Sequence, residues 1–294
     1  MNLCQKREKI SALAGLCRIR LSLFTALSAV AGFFLAASAP SLSRALSLAA
    51  GVLFLSFGAS ALNQFLEAAT DGLMPRTRQR PIPSGRLRPG HALWFAVASA
   101  LGGVSVILLS GGVLPAALGS AAFLWYGFIY TPLKKKTAFS FVPGALAGAA
   151  PPAIGWVMGG GALTSPELLV ISFFFYIWQI PHFWLILLRY GGEYERAGLP
   201  SVTNIFSRRD LKRIIFVCEV CTALSAMLLA VFVSGTPGST FTLLFFAVPA
   251  AWMIGSGAAI LGGNGERSLL AGRSIDVCVL AITCLLAAGR FMAV

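Results

Sequence analysis

The sequence is poor in charge and poorest in acids. Only ten of its 294 residues are Asp or Glu, only two are His, the charged fraction is 11%, and 57% belong to the hydrophobic set. A soluble globular domain carries roughly 25% charged residues, so too little polar surface is present to face water all round. Disorder is excluded as well, because a chain this apolar cannot stay solvated. The six cysteines fall in or beside apolar runs without paired extracellular spacing, which excludes a disulfide scaffold. Cys218 and Cys221 have the spacing of a redox or zinc motif, but they occupy one apolar helical turn, where free Cys behaves as a small hydrophobe.

What the chain has instead is long apolar runs and 23 Lys and Arg residues, for a formal charge of +13. A membrane-spanning helix needs about 20 mostly apolar residues. Nine stretches qualify: 20–38, 45–68, 91–110, 112–130, 139–160, 167–188, 212–234, 239–261 and 269–291. The links between them are short, which predicts an all-α polytopic membrane protein with one domain over 1–294 and a short cytoplasmic segment, 1–19. The cations fall before span one and after spans two, four, six and eight; only Arg44 and Arg290 lie on the other side. Cytoplasmic loops carry the Lys/Arg excess, so the expected location is a cell (inner) membrane with the N-terminus inside. Read this way, the charge sets orientation and is not a nucleic-acid footprint. The N-terminal apolar run is long and lacks a clear A-x-A site, so it is expected to be retained as a span and not removed as a signal.

With so few acids, each one at membrane depth is a functional-site hypothesis. Asn63, Glu67 and Asp71 recur every fourth residue in ALNQFLEAATDGLMPRTRQRP. At about 100° per residue they step round by roughly 40° each and share one helix face. Met74-Pro75 is expected to end the helix, since the residue before Pro is pushed out of the α region. Two carboxylates and an amide followed by Arg76, Arg78 and Arg80 suit a metal-bridged phosphate ester: Mg²⁺ is commonly held by one or two carboxylates, water and phosphate oxygens.

Span six repeats the design. Trp178, Gln179, His182, Arg189 and Glu193 project to one side of SFFFYIWQIPHFWLILLRYGGEYERAGLP, which ends in Glu193, Tyr194 and Glu195. His182 has three readings: a packing residue, an axial ligand to a metalloporphyrin, or a proton acceptor. Between the two stripes stand Tyr126, Tyr130 and Lys134-Lys135-Lys136, then a Gly144-x-x-x-Gly148 pattern that allows close helix approach. Pro151-Pro152 predicts a kink in span five.

Together these motifs resemble the UbiA-type intramembrane prenyltransferases, and within them the haem-directed subgroup. NQFLEAATDGLMPRTRQRPIPSGRL, YTPLKKKTAFSFVPGALAGAAPPAIGW, WQIPHFW and EYERAGLPSVT carry the resemblance, over about residues 60–205 in motif detail. It implies nine helices around a central cavity and two acidic motifs that hold Mg²⁺ and a prenyl diphosphate. Asn63, Glu67 and Asp71 would form the first motif, as metal-holding and catalytic residues, and Glu193 would belong to the second. Arg76, Arg80, Lys134, Lys135 and Arg189 would bind the diphosphate, and His182 would serve the haem side. The implied substrates are farnesyl diphosphate and haem b, with a haem A synthase or terminal oxidase assembly as the implied partner. Where relatives usually have an aspartate this chain has Gly192, so its second metal site would rest on Glu193 and Glu195.

Two rivals are separable on the sequence. Prenylation of an aromatic quinone precursor or chlorophyllide would use the same acids with a different acceptor pocket, and WQIPHF argues against it. An organic-anion transporter would place charges near the bilayer midplane and show inverted halves, whereas Glu67, Asp71 and Glu193 cluster at one face and the halves show no convincing inverted repeat.

Overall fold

The computed structural model describes the backbone of residues 3–233, 240–262 and 265–292. Side chains in 1–6, 8–9, 233–241, 261–273 and 289–294 lie outside the described residues, among them the cations Lys6, Lys9, Arg267, Arg273 and Arg290.

The described residues form helices and turns. An N-terminal helix α1 (Leu3–Cys17) leads into α2 (Ile19–Ala36), then α3 (Leu42–Leu66), the short α4 (Ala68–Leu73), α5 (Pro89–Gly111) and α6 (Val113–Leu124). After a π-helical turn, Trp125–Tyr130, come α7 (Thr131–Leu133), α8 (Phe141–Met158), α9 (Pro166–Ile177), α10 (Gln179–Arg196), α11 (Arg208–Val233), α12 (Thr240–Gly262) and α13 (Gly265–Met292). Eight of the expected spans are present as helical segments long and apolar enough to cross a bilayer. The ninth, 269–291, falls within α13, whose described apolar stretch is Ser274–Ala288. The protein is a multi-pass membrane protein.

Neighbouring helices close a ring: α2 packs on α3, α3 on α5, α5 on α6, α6 on α8, α8 on α9, α9 on α11, α11 on α12, α12 on α13, and α13 returns to α2. Helix α2 also packs closely on α8 across the ring. Small residues permit that approach. A Cβ on Gly32 would strike the carbonyl oxygen of Pro152, and one on Gly155 would strike that of Ala29. The GxxxG pair also allows close approach: a Cβ on Gly144 would run into the Tyr130 ring, and one on Gly148 into the Gln179 side chain, with the backbone oxygen of Phe175 on α9 also near at 3.1 Å. Pro151 and Pro152 lie inside α8, which runs unbroken through them.

Three departures from straight spans matter for the site. Span two breaks at Glu67, which has φ −98° and ψ 3°, although Glu67 N–H still donates to Asn63 O and Asp71 N–H to Glu67 O. The helical register therefore continues into α4 and ends before extended Met74, as the following Pro75 predicts. Span six divides at Trp178. Span four widens into the π-helical turn, a feature frequent at functional sites, and Tyr126 and Tyr130 both lie in it.

Candidate active site

A cavity of about 370 Å³ opens among α2, α3, α6, α8 and α10. Its mouth is ringed by Arg18, Glu67, Asp71, Arg76, Arg80, Lys134 and Lys135, and its inner wall includes Val52, Leu55, Gly119 and Ile154. Cations assigned from the sequence to the start of span one and the ends of spans two and four thus share one end of the bundle. Arg44 lies at another place, donating to Met158 O at 2.7 Å at the far end of α8.

Of the first stripe, Glu67 and Asp71 line the cavity and Asn63 does not, and each acid is already engaged. Lys134 Nζ donates to Glu67 Oε1 at 2.8 Å, and Arg80 Nη1 to Asp71 Oδ2 at 2.5 Å. Arg80 reaches back because 74–88 is a chain of tight turns; Thr77 Oγ1 also donates to Asp71 O at 2.9 Å. Asn63 is fully buried behind the cavity wall, where its oxygen accepts from Arg18 Nη2 (3.2 Å) and its amide donates to Thr131 Oγ1 (3.3 Å).

Burial and charge compete at these groups. Burial alone would raise the pKa of the Glu67 carboxyl, but Lys134, Arg80 and Arg18 outweigh it and hold that group below the usual range. At Asp71 burial wins over Arg80 and the carboxyl is pushed up. Burial likewise draws Arg80 down, with Arg18 adding to the effect. Lys134 moves the other way: Tyr130 and Glu67 around its ammonium overcome desolvation and raise it.

An aromatic layer lies next to the charges. Lys134 Nζ sits 4.6 Å from the Tyr130 ring centre, Tyr130 packs on Tyr126 at 5.3 Å and on Phe183 at 6.1 Å, and Trp178 meets Phe24 at 5.8 Å and His182 at 5.3 Å, edge to face. Trp178, Gln179 and His182 all line the cavity.

The second stripe is only partly brought in. Glu193 Oε2 accepts the backbone N–H of Arg76 at 3.2 Å, and Arg76 Nη2 donates to Tyr194 at 3.4 Å, so the two motifs touch through Arg76. Glu195 instead accepts from Thr203 Oγ1 at 2.5 Å. Arg189 does not reach the cavity; it is exposed and lies over Tyr190, with 4.9 Å from its guanidinium to the ring centre. Among the described residues no three His, Cys, Asp or Glu side chains gather as a metal cage. Two carboxylates at a basic mouth still fit Mg²⁺ that takes the rest of its shell from water and substrate phosphates.

Matching the chain to known families settles what kind of molecule carries this cavity. Residues 23–268 match the UbiA prenyltransferase family. The chain belongs to that family. Relatives named protoheme IX farnesyltransferase include one from Geobacter sulfurreducens, 44% identical over 186 residues, which is 63% of this chain and 68% of the relative. Another, from Oleidesulfovibrio alaskensis, is 42% identical over 191 residues, 65% of this chain and 67% of the relative. Solved UbiA folds superpose over nearly the whole length at low identity. A digeranylgeranylglyceryl phosphate synthase aligns with TM-score 0.75 and 13% identity over 97% of this chain and 99% of its own. A UbiA homologue from Archaeoglobus fulgidus bound to GPP and Mg²⁺ aligns with TM-score 0.71 and 14% identity over 96% and 99%.

Set against this UbiA fold, the residue reading missed three polar groups. Arg18, counted above only for orientation, lines the mouth and is the sole described non-glycine residue with positive φ, 45°; such strain persists where surrounding structure holds it. Asp276 on α13 pairs with His182. Glu219, fully buried on α11, accepts from Ser256 at 2.9 Å, away from the cavity lining. The signal for the two acids was available, since each interrupts an apolar span.

Proposed function

We propose that the protein transfers the farnesyl group of farnesyl diphosphate to a vinyl group of haem b with addition of water, giving haem O. The observation that carries the proposal is the 44% and 42% identity to proteins named protoheme IX farnesyltransferase, joined to a cavity whose basic and acidic mouth gives way to aromatic and apolar walls. That layering matches the donor: an anionic head at the water-facing edge and an isoprenoid tail inside. Trp178, Gln179 and His182 on the wall favour a flat, metal-bearing acceptor over a small phenol.

In the resting protein both mouth carboxylates are paired, Glu67 with Lys134 and Asp71 with Arg80, which leaves Arg18, Arg76 and Lys135 in excess. Glu67 and Asp71 would hold Mg²⁺, and Lys134, Arg80, Arg76 and Lys135 would hold the diphosphate. Bound there, Mg²⁺ would neutralise the leaving diphosphate and so lower the barrier to ionisation. The cations stabilise the same charge from fixed positions in a poorly hydrated site, where such interactions are strongest. Tyr126, Tyr130 and Trp178, which line the cavity, offer π faces to the allylic cation. Asn63 acts from behind the wall, holding Arg18 and Thr131 in place. Glu193 and Arg76 close the outer rim, and Arg189 has no role in this scheme. The whole works as one membrane domain with the mouth on the cytoplasmic side of the inner membrane.

The test is direct. Purified protein with haem b, farnesyl diphosphate and Mg²⁺ should yield farnesylated, hydrated haem by mass spectrometry. Prenylation of an aromatic quinone precursor with no haem product would refute the acceptor.

A further inference from the structure

The pairing of His182 with Asp276 is unexplained by anything above. His182 Nδ1 lies 2.8 Å from Asp276 Oδ1, joining α10 to α13. The aspartate belongs to a stretch beyond the residues matched by the family, which end at 268. It interrupts the apolar run Ser274–Ala288 and is half-exposed, with 52% of its side chain accessible, while His182 keeps 29% and lines the cavity. A carboxylate on a membrane span is costly without a partner, and here its partner is the imidazole of a cavity-lining residue. Trp178 at 5.3 Å and Phe183 at 6.1 Å flank the same ring edge-on, so its orientation is fixed by packing as well as by the carboxylate.

A carboxylate that accepts from Nδ1–H selects the tautomer with its lone pair on Nε2, and it stabilises the imidazolium once Nε2 is protonated. We propose that Asp276 positions His182 as the acceptor of the proton released when water completes the transfer. This rests on the haem-farnesylation reading and assigns one of its steps. The C–O bond of farnesyl diphosphate breaks with its electron pair leaving on the diphosphate. The π pair of the haem vinyl group forms a C–C bond to the allylic carbon, and the positive charge moves to the vinyl carbon attached to the macrocycle. A lone pair of water forms a C–O bond to that carbon, and one water proton passes to His182 Nε2. The resulting imidazolium is held against Asp276 until the proton leaves to solvent; nothing is oxidised or reduced. When no base is poised for water, the same cation instead loses a proton from the adjacent CH₂ and ends as an alkene lighter by one water.

The competition between the two exits gives a readout that a packing role would not move. Full-length wild type, Asp276→Asn, Asp276→Glu and His182→Gln, each in detergent with haem b, farnesyl diphosphate and Mg²⁺, are compared by mass spectrometry for the ratio of hydrated to unhydrated farnesyl-haem. Asp276→Asn is expected to keep forming the C–C bond while that ratio falls at least about tenfold, in line with the worth of a positioned base, and in whatever farnesyl-haem His182→Gln still forms the ratio is expected to fall at least as far. Asp276→Glu is expected to restore most of it. Farnesyl diphosphate binding, unchanged across the set, verifies that each variant is folded. A ratio equal to wild type in folded Asp276→Asn overturns the inference, as does an equal loss of both products, which would point to acceptor binding. A wild type that makes no farnesyl-haem would overturn the underlying reading, and this step with it.

Discussion

The two acidic stripes use the same side-chain chemistry in opposite settings. On the first, Asp71 is almost fully buried, and Glu67 and Asp71 each face one dedicated cation. On the second, Glu193 meets a backbone N–H and the exposed Glu195 a hydroxyl, at a helix end. An exposed ion contact contributes little, because water screens it; removing one partner of a buried pair leaves an uncompensated charge in a low-dielectric site. The difference teaches that the first stripe is the electrostatic centre of the mouth and the second its rim, although the sequence presents them as two comparable motifs.

The sharpest way to break that contrast is Asp71→Asn. It is expected to lower haem farnesylation at least about 100-fold, the scale seen when a preorganised charge-stabilising group is lost. It also leaves Arg80 short of its counter-charge. Breaking a buried pair costs about 3–5 kcal/mol, and because 20% of the Arg80 side chain is accessible the expected loss lies at or below the lower end of that range, read by unfolding in detergent. Removal of divalent metal should act on the same scale: chelation should lower turnover about as far as Asp71→Asn does, and Mg²⁺ should restore it. Turnover that persists in chelator would disprove the role given to Glu67 and Asp71. Glu193→Gln should cost less than Asp71→Asn, on the order of tenfold for a single charge-assisted contact, with stability unchanged. Equal losses at the two positions would erase the distinction between centre and rim.

Much of this was legible because lipid is a strict solvent. A span must be apolar for about 20 residues, so the helices stand out, and the four-residue recurrence of Asn63, Glu67 and Asp71 survives even a break at Glu67. Pairings were not legible. Lys134 and Glu67 are separated by 67 positions and Arg18 and Asn63 by 45, and only tertiary packing sets which cation meets which acid. The π-helical turn at Trp125–Tyr130 was equally hidden, since it changes the register of Tyr126 and Tyr130 without changing the apolar pattern. Arg189 failed for a related reason: helical spacing gives direction but not depth, and the neighbouring Tyr190 ring holds its guanidinium outside the cavity. Asp276 needed the contact between α13 and α10, which no periodicity reveals.

The smallest expected effect is also the most selective probe of the rim. Gly192 precedes Glu193 on α10, and a Cβ there would meet nothing within 4 Å, so packing does not require the glycine. In Gly192→Asp the helix gains a few tenths of a kcal/mol from replacing glycine. A negative charge near the C-terminal end of α10 gives back about as much through the helix dipole. Stability in detergent should therefore stay within about 0.5 kcal/mol of wild type. What should change is the metal: an added carboxylate beside Glu193 raises the local negative charge, so half-maximal activity should need severalfold less Mg²⁺ while maximal turnover stays put. An unchanged Mg²⁺ requirement in that variant would mean that the second stripe does not face the metal at all, and that Glu193 serves only to hold the loop carrying Arg76.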